Sequence, residues 1–289
     1  MRFRHHAPDP HLRDVVQGYW ELEDVHLAWP EQNYTLPERT MRLMFSAETL
    51  MLGPHPGALR PLPPVALTPF TRHPERTVGQ GRLRVLVAEL YPWGARQLLA
   101  WSPDTAPEAL DAALSASAWG REVVALVRQG EWTAARGALE AHLRSVTARQ
   151  GEPGAGVVAA RRIYDSLGAA RVADLAEELN VSPRTLERQF AQQVGVSPKT
   201  LARVVRFDEA NTRIRTDPSV PMAELTFDLG FFDQAHLIRE FRALSSLTPG
   251  AFAAVAARRQ NRVDLDLLRV GGDQQLDLDH LPGFEPEPT

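Results

Sequence analysis

The spacing of apolar residues changes twice along the chain. Short apolar runs at 34–45, 62–69 and 82–92 predict strands, and the last of them alternates in part, as half-buried strands do. From residue 94 to 150, apolar side chains recur at helical spacing among many alanines. After a Pro- and Gly-containing break, the pattern from Val157 to Arg262 is helical with short interruptions.

This pattern predicts an α+β protein built from separate strand-rich and helical parts. We expect a β-rich barrel with following helices at 1–150, a linker at 151–156, an all-helical domain at 157–262 and an acidic, loosely ordered tail at 263–289.

One pattern of helix, turn and helix occurs twice in the helical part. LAEELNVSPRTLERQFAQQVGVSP spans 175–198, and LTFDLGFFDQAHLIREFRALSSLTP spans 225–249. Leu175 matches Leu225 at an offset of 50, and after one inserted residue Phe190 matches Phe241 at an offset of 51. Such internal self-similarity indicates two copies of one structural unit.

The first copy has the marks of a helix-turn-helix. Asn180 tolerates the left-handed turn, Ser182 can cap the next helix, and Pro183 suits its first position. Leu186 and Phe190 then face inward. The outward side chains suit base edges, since Arg donates to guanine and Glu accepts from cytosine. They are Arg184, Glu187 and Arg188, with Thr185 as a candidate contact to phosphate or a thymine methyl.

The second copy repeats the arrangement, with Gly230 in the turn where a positive φ costs little. Its outward residues are Gln234, Ala235, Ile238 and Arg239, with His236 beside them. Gln suits adenine, and Ala or Ile suits a thymine methyl. Between the copies, residues 197–216 predict one helix, which begins with the cap Ser197 and contains Lys199, a further candidate DNA contact.

Two recognition helices about 34 Å apart enter successive major grooves on one face of a duplex. Double-stranded DNA is therefore the expected partner. A three-helix packing can imitate a single helix-turn-helix, and the outward arginines could equally be solvated surface; the repetition is what favours DNA binding.

The distribution of charge along the chain supports the prediction of DNA binding. Residues 157–262 carry 15 basic and 12 acidic side chains, whereas 263–289 carry 1 and 7. The basic segment is thus the repeated one, although the whole chain has a net charge of −4. The chain has no cysteine, no apolar run of membrane-spanning length and no signal-peptide pattern at its start, so we expect a cytoplasmic protein without thiol chemistry.

The helical part resembles the AraC/XylS family of bacterial transcription regulators. The resemblance lies in VADLAEELNVSPRTLERQFAQQVGVSPKTLARVVRF and AELTFDLGFFDQAHLIREFRALSSLTPGAF. It implies two helix-turn-helix units joined by a helix. It also implies base contacts from the second helix of each unit, by Arg184, Glu187, Arg188, Gln234, Ala235 and Arg239. One departure is Ser245 and Ser246, where the family usually has an aromatic residue and Gly.

The N-terminal part also resembles one subgroup of that family, at GYWEL (18–22), LPERTMRLMF (36–45) and LYPWGARQLLAW (90–101). The resemblance implies a small, cupin-like β-barrel that senses a small molecule or mediates dimerisation. Aromatic and polar strand residues are candidate effector contacts, although they suit a barrel core equally well. They are Tyr19, Trp20, Tyr34, Arg42, Phe45 and Trp93.

The sequence suggests no catalytic residue, cofactor or metal. Six of the nine histidines lie in residues 1–73, but without the close alternating spacing of a metal site. No Gly-rich phosphate loop, nucleophile elbow or HExxH motif is present. We therefore expect a regulator and not an enzyme.

Three functions compete at this point. The leading one is a transcription regulator controlled by a small molecule at the N-terminal domain. A second is an enzyme that carries a DNA-binding module; the absence of cysteine excludes a thiol-acceptor alkyl transferase. A third is an effector-independent regulator, whose N-terminal domain only forms a homodimer or contacts RNA polymerase.

Overall fold

The computed structural model of the chain describes residues 2–102, 104–149 and 151–260, and the side chains of 25–34, 80 and 258–260 are not described. The predicted acidic tail lies outside the described residues. No helix in the described ranges is both long and apolar enough to cross a membrane. The strands are β1 (Arg2–His6), β2 (Val16–Thr35), β3 (Met41–Ser46), β4 (Leu50–Pro54), β5 (Arg60–Leu62), β6 (Val65–Thr68) and β7 (Glu75–Leu90).

Eleven helices follow within the described ranges. Four belong to the N-terminal part: α1 (Pro92–Leu99), α2 (Pro107–Ala116), α3 (Ala118–Gln129) and α4 (Trp132–Thr147). Seven make up the C-terminal part: α5 (Ala155–Asp165), α6 (Val172–Glu178), α7 (Pro183–Val194), α8 (Pro198–Thr216), α9 (Met222–Asp228), α10 (Gln234–Ser245) and α11 (Pro249–Gln260). The predicted α+β class is confirmed.

The strands form one antiparallel sheet organised around the long strands β2 and β7. Its order is β1-β2-β7-β3-β6, and β4 pairs with both β5 and β7. The β2–β7 register shifts between His26 and Glu31, which bends the pair. No pairing between described strands joins β1 to β6, so the sheet is not closed into the predicted barrel.

Alternation along the strands gives the sheet two apolar faces. One face, which includes Tyr19, Phe45 and Leu86, packs against the helices of the N-terminal part. The other face forms a separate cluster that includes Trp20, Val85 and Val87. Consecutive residues such as Tyr19 and Trp20 therefore lie in different cores.

The structure divides the strand predicted at 34–45. β2 ends at Thr35, residues 36–40 form a loop, and β3 begins at Met41. The loop leaves the sheet because Leu36 is buried in the core of the second helix-turn-helix unit. Residue spacing along the chain carries no sign of this distant contact.

Candidate nucleic-acid interface

The first unit consists of α6, a tight turn and α7. Asn180 adopts φ 53°, and the Ser182 hydroxyl accepts a hydrogen bond from the amide of Thr185 at 3.1 Å. Pro183 occupies the first helical turn of α7, and Leu186 and Phe190 are buried. Each local feature predicted for this turn is present.

Buried Leu186 and Phe190 leave the opposite face of α7 to solvent. Arg184, Glu187 and Arg188 are exposed there, and none has an ion-pair partner among the described residues. Thr185 is half-buried, and its hydroxyl lies 2.8 Å from that of Ser182, so it shares the helix cap. The face therefore presents two arginines and one glutamate that are available for hydrogen bonding.

The second unit consists of α9, a longer turn and α10. Gly230 adopts φ 66°, as predicted. Asp233, which was not predicted as a cap, caps α10 by accepting a hydrogen bond from the amide of His236 at 2.6 Å. An Asp before a helical run is the ordinary cap signal, but the inserted residue in this turn obscured where the helix begins.

The outward face of α10 carries Gln234, Ala235 and Arg239, all exposed. His236 is half-buried and contacts the turn: its Nδ1 accepts a hydrogen bond from the amide of Phe232 at 3.3 Å, and its ring lies edge-on to that of Phe231. The candidate DNA contact His236 thus also holds the turn that precedes its own helix.

Helix α8 connects the two units and begins as predicted, with the Ser197 hydroxyl accepting from the amide of Thr200 at 3.1 Å. Its 19 residues extend about 28 Å at 1.5 Å per residue. Leu201 and Val205 lie in the core of the first unit, whereas Val204 and Phe207 lie in that of the second. Because α8 is anchored in both cores, it fixes the spacing of the units; Lys199 is exposed in its first turn.

Other arginines of this part are bound internally. Arg203 pairs with Glu240, and Arg213 pairs with Asp228 at 2.7 Å. Arg206 donates to the carbonyl of Gly168 at 3.2 Å. The structure thereby separates arginines that hold the fold from Arg184, Arg188 and Arg239, a distinction that sequence spacing did not provide.

Residues 175–254 match a family model described as a helix-turn-helix domain, of the AraC type. Residues 175–254 are therefore an AraC-type helix-turn-helix domain. This match, which spans both units and α8, supports a DNA-binding transcription regulator. No curated protein sequence matches the chain.

Three solved structures are similar to all or part of the chain. Unsaturated fatty acid-bound ToxT from Vibrio cholerae has a TM-score of 0.44 at 11% identity, over 81% of this chain and 94% of that one. The C-terminal domain of AraT, a response regulator from Geobacillus stearothermophilus, has a TM-score of 0.34 at 23% identity, over 39% and 90%. The AraC-like transcriptional activator CuxR has a TM-score of 0.29 at 12% identity, over 70% and 84%.

The buried aromatic candidates for effector contact divide between the two faces of the sheet. Phe45 is fully buried against Trp119, and Trp93 stacks on Tyr91 while its indole N–H donates to the carbonyl of Asp14 at 2.7 Å. Trp20 is buried on the opposite face of the sheet from Phe45. Tyr34 lies in β2, and its side chain is not described. Trp20, Phe45 and Trp93 are thus buried in the cores, the alternative that the sequence left open.

Arg42 is the candidate that lines a cleft. The Arg42 guanidinium lies 5.6 Å from the Trp20 ring and also pairs with Glu38. The cleft encloses about 20 Å³ within about 240 Å³ of space that is partly open to solvent, and its lining residues are Thr35, Leu36, Glu38, Thr40, Arg42, Thr68, Pro69, Thr71 and Glu75. Burial raises the pKa of Glu38 to about 8 and that of Glu75 to about 7. The cleft is therefore polar and carries less negative charge at neutral pH than its two carboxyls suggest.

The loop of residues 36–40, which forms one wall of this cleft, also contacts the AraC-type domain. Arg39 pairs with Asp208 of α8 at 3.0 Å, and the Tyr164 hydroxyl donates to the Arg39 carbonyl. Burial raises the pKa of Asp208 to about 6, although the Arg39 charge opposes that rise. Glu38 in the cleft is thus adjacent in sequence to Arg39, which is bound to the connecting helix α8.

Proposed function

We propose that the chain is a sequence-specific transcription regulator whose α7 and α10 bind successive major grooves of one DNA operator. The supporting observation is that α8 is anchored in the cores of both units, while each recognition helix exposes side chains without internal ion pairs. A fixed connection favours one spacing of the half-sites, because only that spacing lets both helices enter their grooves at once.

Selection of bound sequences from a random duplex library tests this proposal with the full-length protein. We expect two short motifs with centres one helical turn, about 10 base pairs, apart. Library members in which the two motifs are separated by five further base pairs place the second half-site on the opposite face and should lose enrichment. No enrichment over random DNA would reject the proposal.

We further propose that a small polar molecule in the cleft around Arg42 controls DNA binding. The cleft wall, residues 36–40, is bound to α8 through Arg39 and Asp208, so a ligand that shifts the wall changes the support of the connecting helix. A ligand that favours one arrangement shifts the population toward it. By linkage, the factor by which the ligand changes the affinity for DNA must equal the factor by which DNA changes the affinity for the ligand.

A screen of small polar compounds by melting temperature, followed by DNA titration with each hit, tests this control. Thr71→Phe should fill the cleft and abolish the response, whereas Thr105→Phe, outside the lining residues, should retain it. A hit that stabilises both variants equally would place its site elsewhere.

An effector-independent regulator is the second candidate function. It is favoured by the small size of the cleft, whose enclosed volume of about 20 Å³ leaves room for little more than one water molecule. In that case the N-terminal part forms a homodimer or contacts RNA polymerase. Sedimentation with and without operator DNA would detect the homodimer, and full operator affinity in a ligand-free preparation would support this candidate.

A further inference from the structure

The most exposed large apolar side chains lie close together in the sequence. In the described part of the chain, Phe232 is 91% exposed, Phe227 is 87% exposed and Ile238 is 40% exposed. All three belong to the second helix-turn-helix unit. Exposed aromatic side chains on a soluble domain are unfavourable in water, and when grouped they commonly mark an interaction surface.

Phe232 and Ile238 belong to the turn and helix that the proposed function directs toward DNA. Phe232 immediately precedes the cap Asp233, and its amide is held by Nδ1 of His236. Ala235 and Ile238 follow on the exposed face of α10, three residues apart. Phe232 just before α10 and the pair Ala235 and Ile238 on its first turns are exposed apolar groups, here called the apolar strip, at the end of the helix that enters the groove in this motif.

The first unit carries no such strip at the matching positions. At the offset of 51, Ala235 corresponds to Arg184, and Ile238 corresponds to Glu187. Phe232 lies in the turn that contains the one-residue insertion. The two units therefore share a backbone arrangement and differ in chemistry, because α7 presents charged hydrogen-bonding groups where α10 presents apolar ones.

The thymine 5-methyl group is the apolar feature of the major groove. We propose that Phe232, Ala235 and Ile238 recognise thymine methyl groups, with Phe232 as an additional specificity-determining residue, while α7 recognises its half-site by hydrogen bonds. The inference rests on the proposed two-groove binding. Arg239, exposed four residues after Ala235, would contact the same half-site.

Replacing thymine by deoxyuridine tests the inference, because it removes only the methyl group and preserves base pairing. The probe is the duplex enriched from the random library by the full-length protein. The half-site bound by α10 is the one at which Arg239→Ala relaxes specificity. Uracil in that half-site should weaken wild-type binding about fourfold for each methyl group contacted, and uracil in the other half-site should leave binding nearly unchanged.

Two phenylalanine variants complete the experiment. Phe232→Ala should bind the thymine duplex about as weakly as the wild type binds the uracil duplex, and should respond less to uracil. Phe227→Ala, an equally large loss of exposed apolar surface in the preceding helix, should respond to uracil as the wild type does.

The outcomes separate this inference from the proposed function. If no operator is enriched, two-groove binding fails and the inference fails with it. If an operator is enriched but wild-type binding ignores uracil in the α10 half-site, only the methyl contact is overturned. An unchanged uracil response in Phe232→Ala would reject Phe232 as its source.

Discussion

Single residues decide how α10 ends. Ser246 adopts φ 64°, a left-handed conformation that suits glycine, and its amide donates to the carbonyl of Arg242 at 2.9 Å. Ser245 is buried, and its hydroxyl donates to the carbonyl of Phe241 at 2.8 Å and accepts from the amide of Leu247. The family departure noted in the sequence is therefore accommodated by hydrogen bonds at one serine and by backbone strain at the other.

Relieving that strain should stabilise the domain. Ser246→Gly removes the Cβ clash of a left-handed residue, which we expect to increase the free energy of unfolding by roughly 0.5–1 kcal/mol after the entropy cost of glycine. Urea unfolding measures the change. Ser246→Ala is the matched control, because it removes the hydroxyl and retains Cβ; an equal gain in both variants would show that φ is not the cause.

The cleft carboxyl Glu38 should make stability depend on pH. Burial raises its pKa from an ordinary 4.5 to about 8, so the folded chain holds this proton more tightly than the unfolded chain does. Its contribution to stability is therefore greatest below pH 4.5 and declines as the pH rises to 8, at about 1.4 kcal/mol per unit of pKa shift. Glu38→Gln cannot ionise and lacks this decline.

Unfolding in urea between pH 5 and pH 8.5 measures the effect. We expect the stability of Glu38→Gln relative to wild type to improve by a few kcal/mol across that range. Glu122→Gln, which removes an exposed carboxylate from α3, is the control and should follow the wild type. Parallel curves for wild type and Glu38→Gln would contradict the buried position of Glu38.

At the scale of the element, the exposed face of α7 sets the recognition of one half-site. Arg188→Ala should weaken binding to the selected operator by about 1–3 kcal/mol and relax specificity at one base pair, because a paired hydrogen bond to guanine is lost. Arg121→Ala, the same charge change on α3, controls for net charge. An equal loss on all duplexes would assign Arg188 to a phosphate contact.

The helices of the AraC-type domain could be predicted because their signals are local. For α8, the cap Ser197, the proline after it and the apolar spacing all lie within the element itself. The loop at 36–40 was missed because Leu36 is buried against distant helices. The effector candidates could not be ranked from the sequence for a related reason: aromatic strand residues look alike whether they line a cavity or fill a core. Only packing shows that Phe45 is buried while Arg42 lines the cleft.

At the scale of the molecule, the N-terminal and C-terminal parts share their cores. Trp101 and Leu98 belong to the same cluster as Leu186 and Val205, and Leu36 belongs to that of the second unit. α5 begins at Ala155, inside the segment predicted as a linker. Both helix-turn-helix units are therefore supported by the N-terminal part, which favours cooperative unfolding of the whole chain.

The ion pair between Arg39 and Asp208 is the polar part of this shared interface. Arg39→Ala leaves the buried Asp208 carboxylate without its partner, which we expect to cost about 3–5 kcal/mol at pH 7.5. Asp208→Asn in the Arg39→Ala background removes the stranded charge and should restore part of the loss. The cost should also shrink toward pH 5, because a carboxyl whose pKa is about 6 even beside Arg39 becomes protonated there.

A double-mutant cycle by urea unfolding at both pH values measures this coupling. Additive losses in the double variant would mean that the pair does not join the two parts. A second possible result is energetic coupling between Arg39 and Asp208, together with a separate unfolding transition of the helical part in Arg39→Ala. It would identify the 36–40 loop as the connection through which the cleft and the two recognition helices respond to one another, since the shared apolar cores then do not suffice to hold the helical part to the sheet.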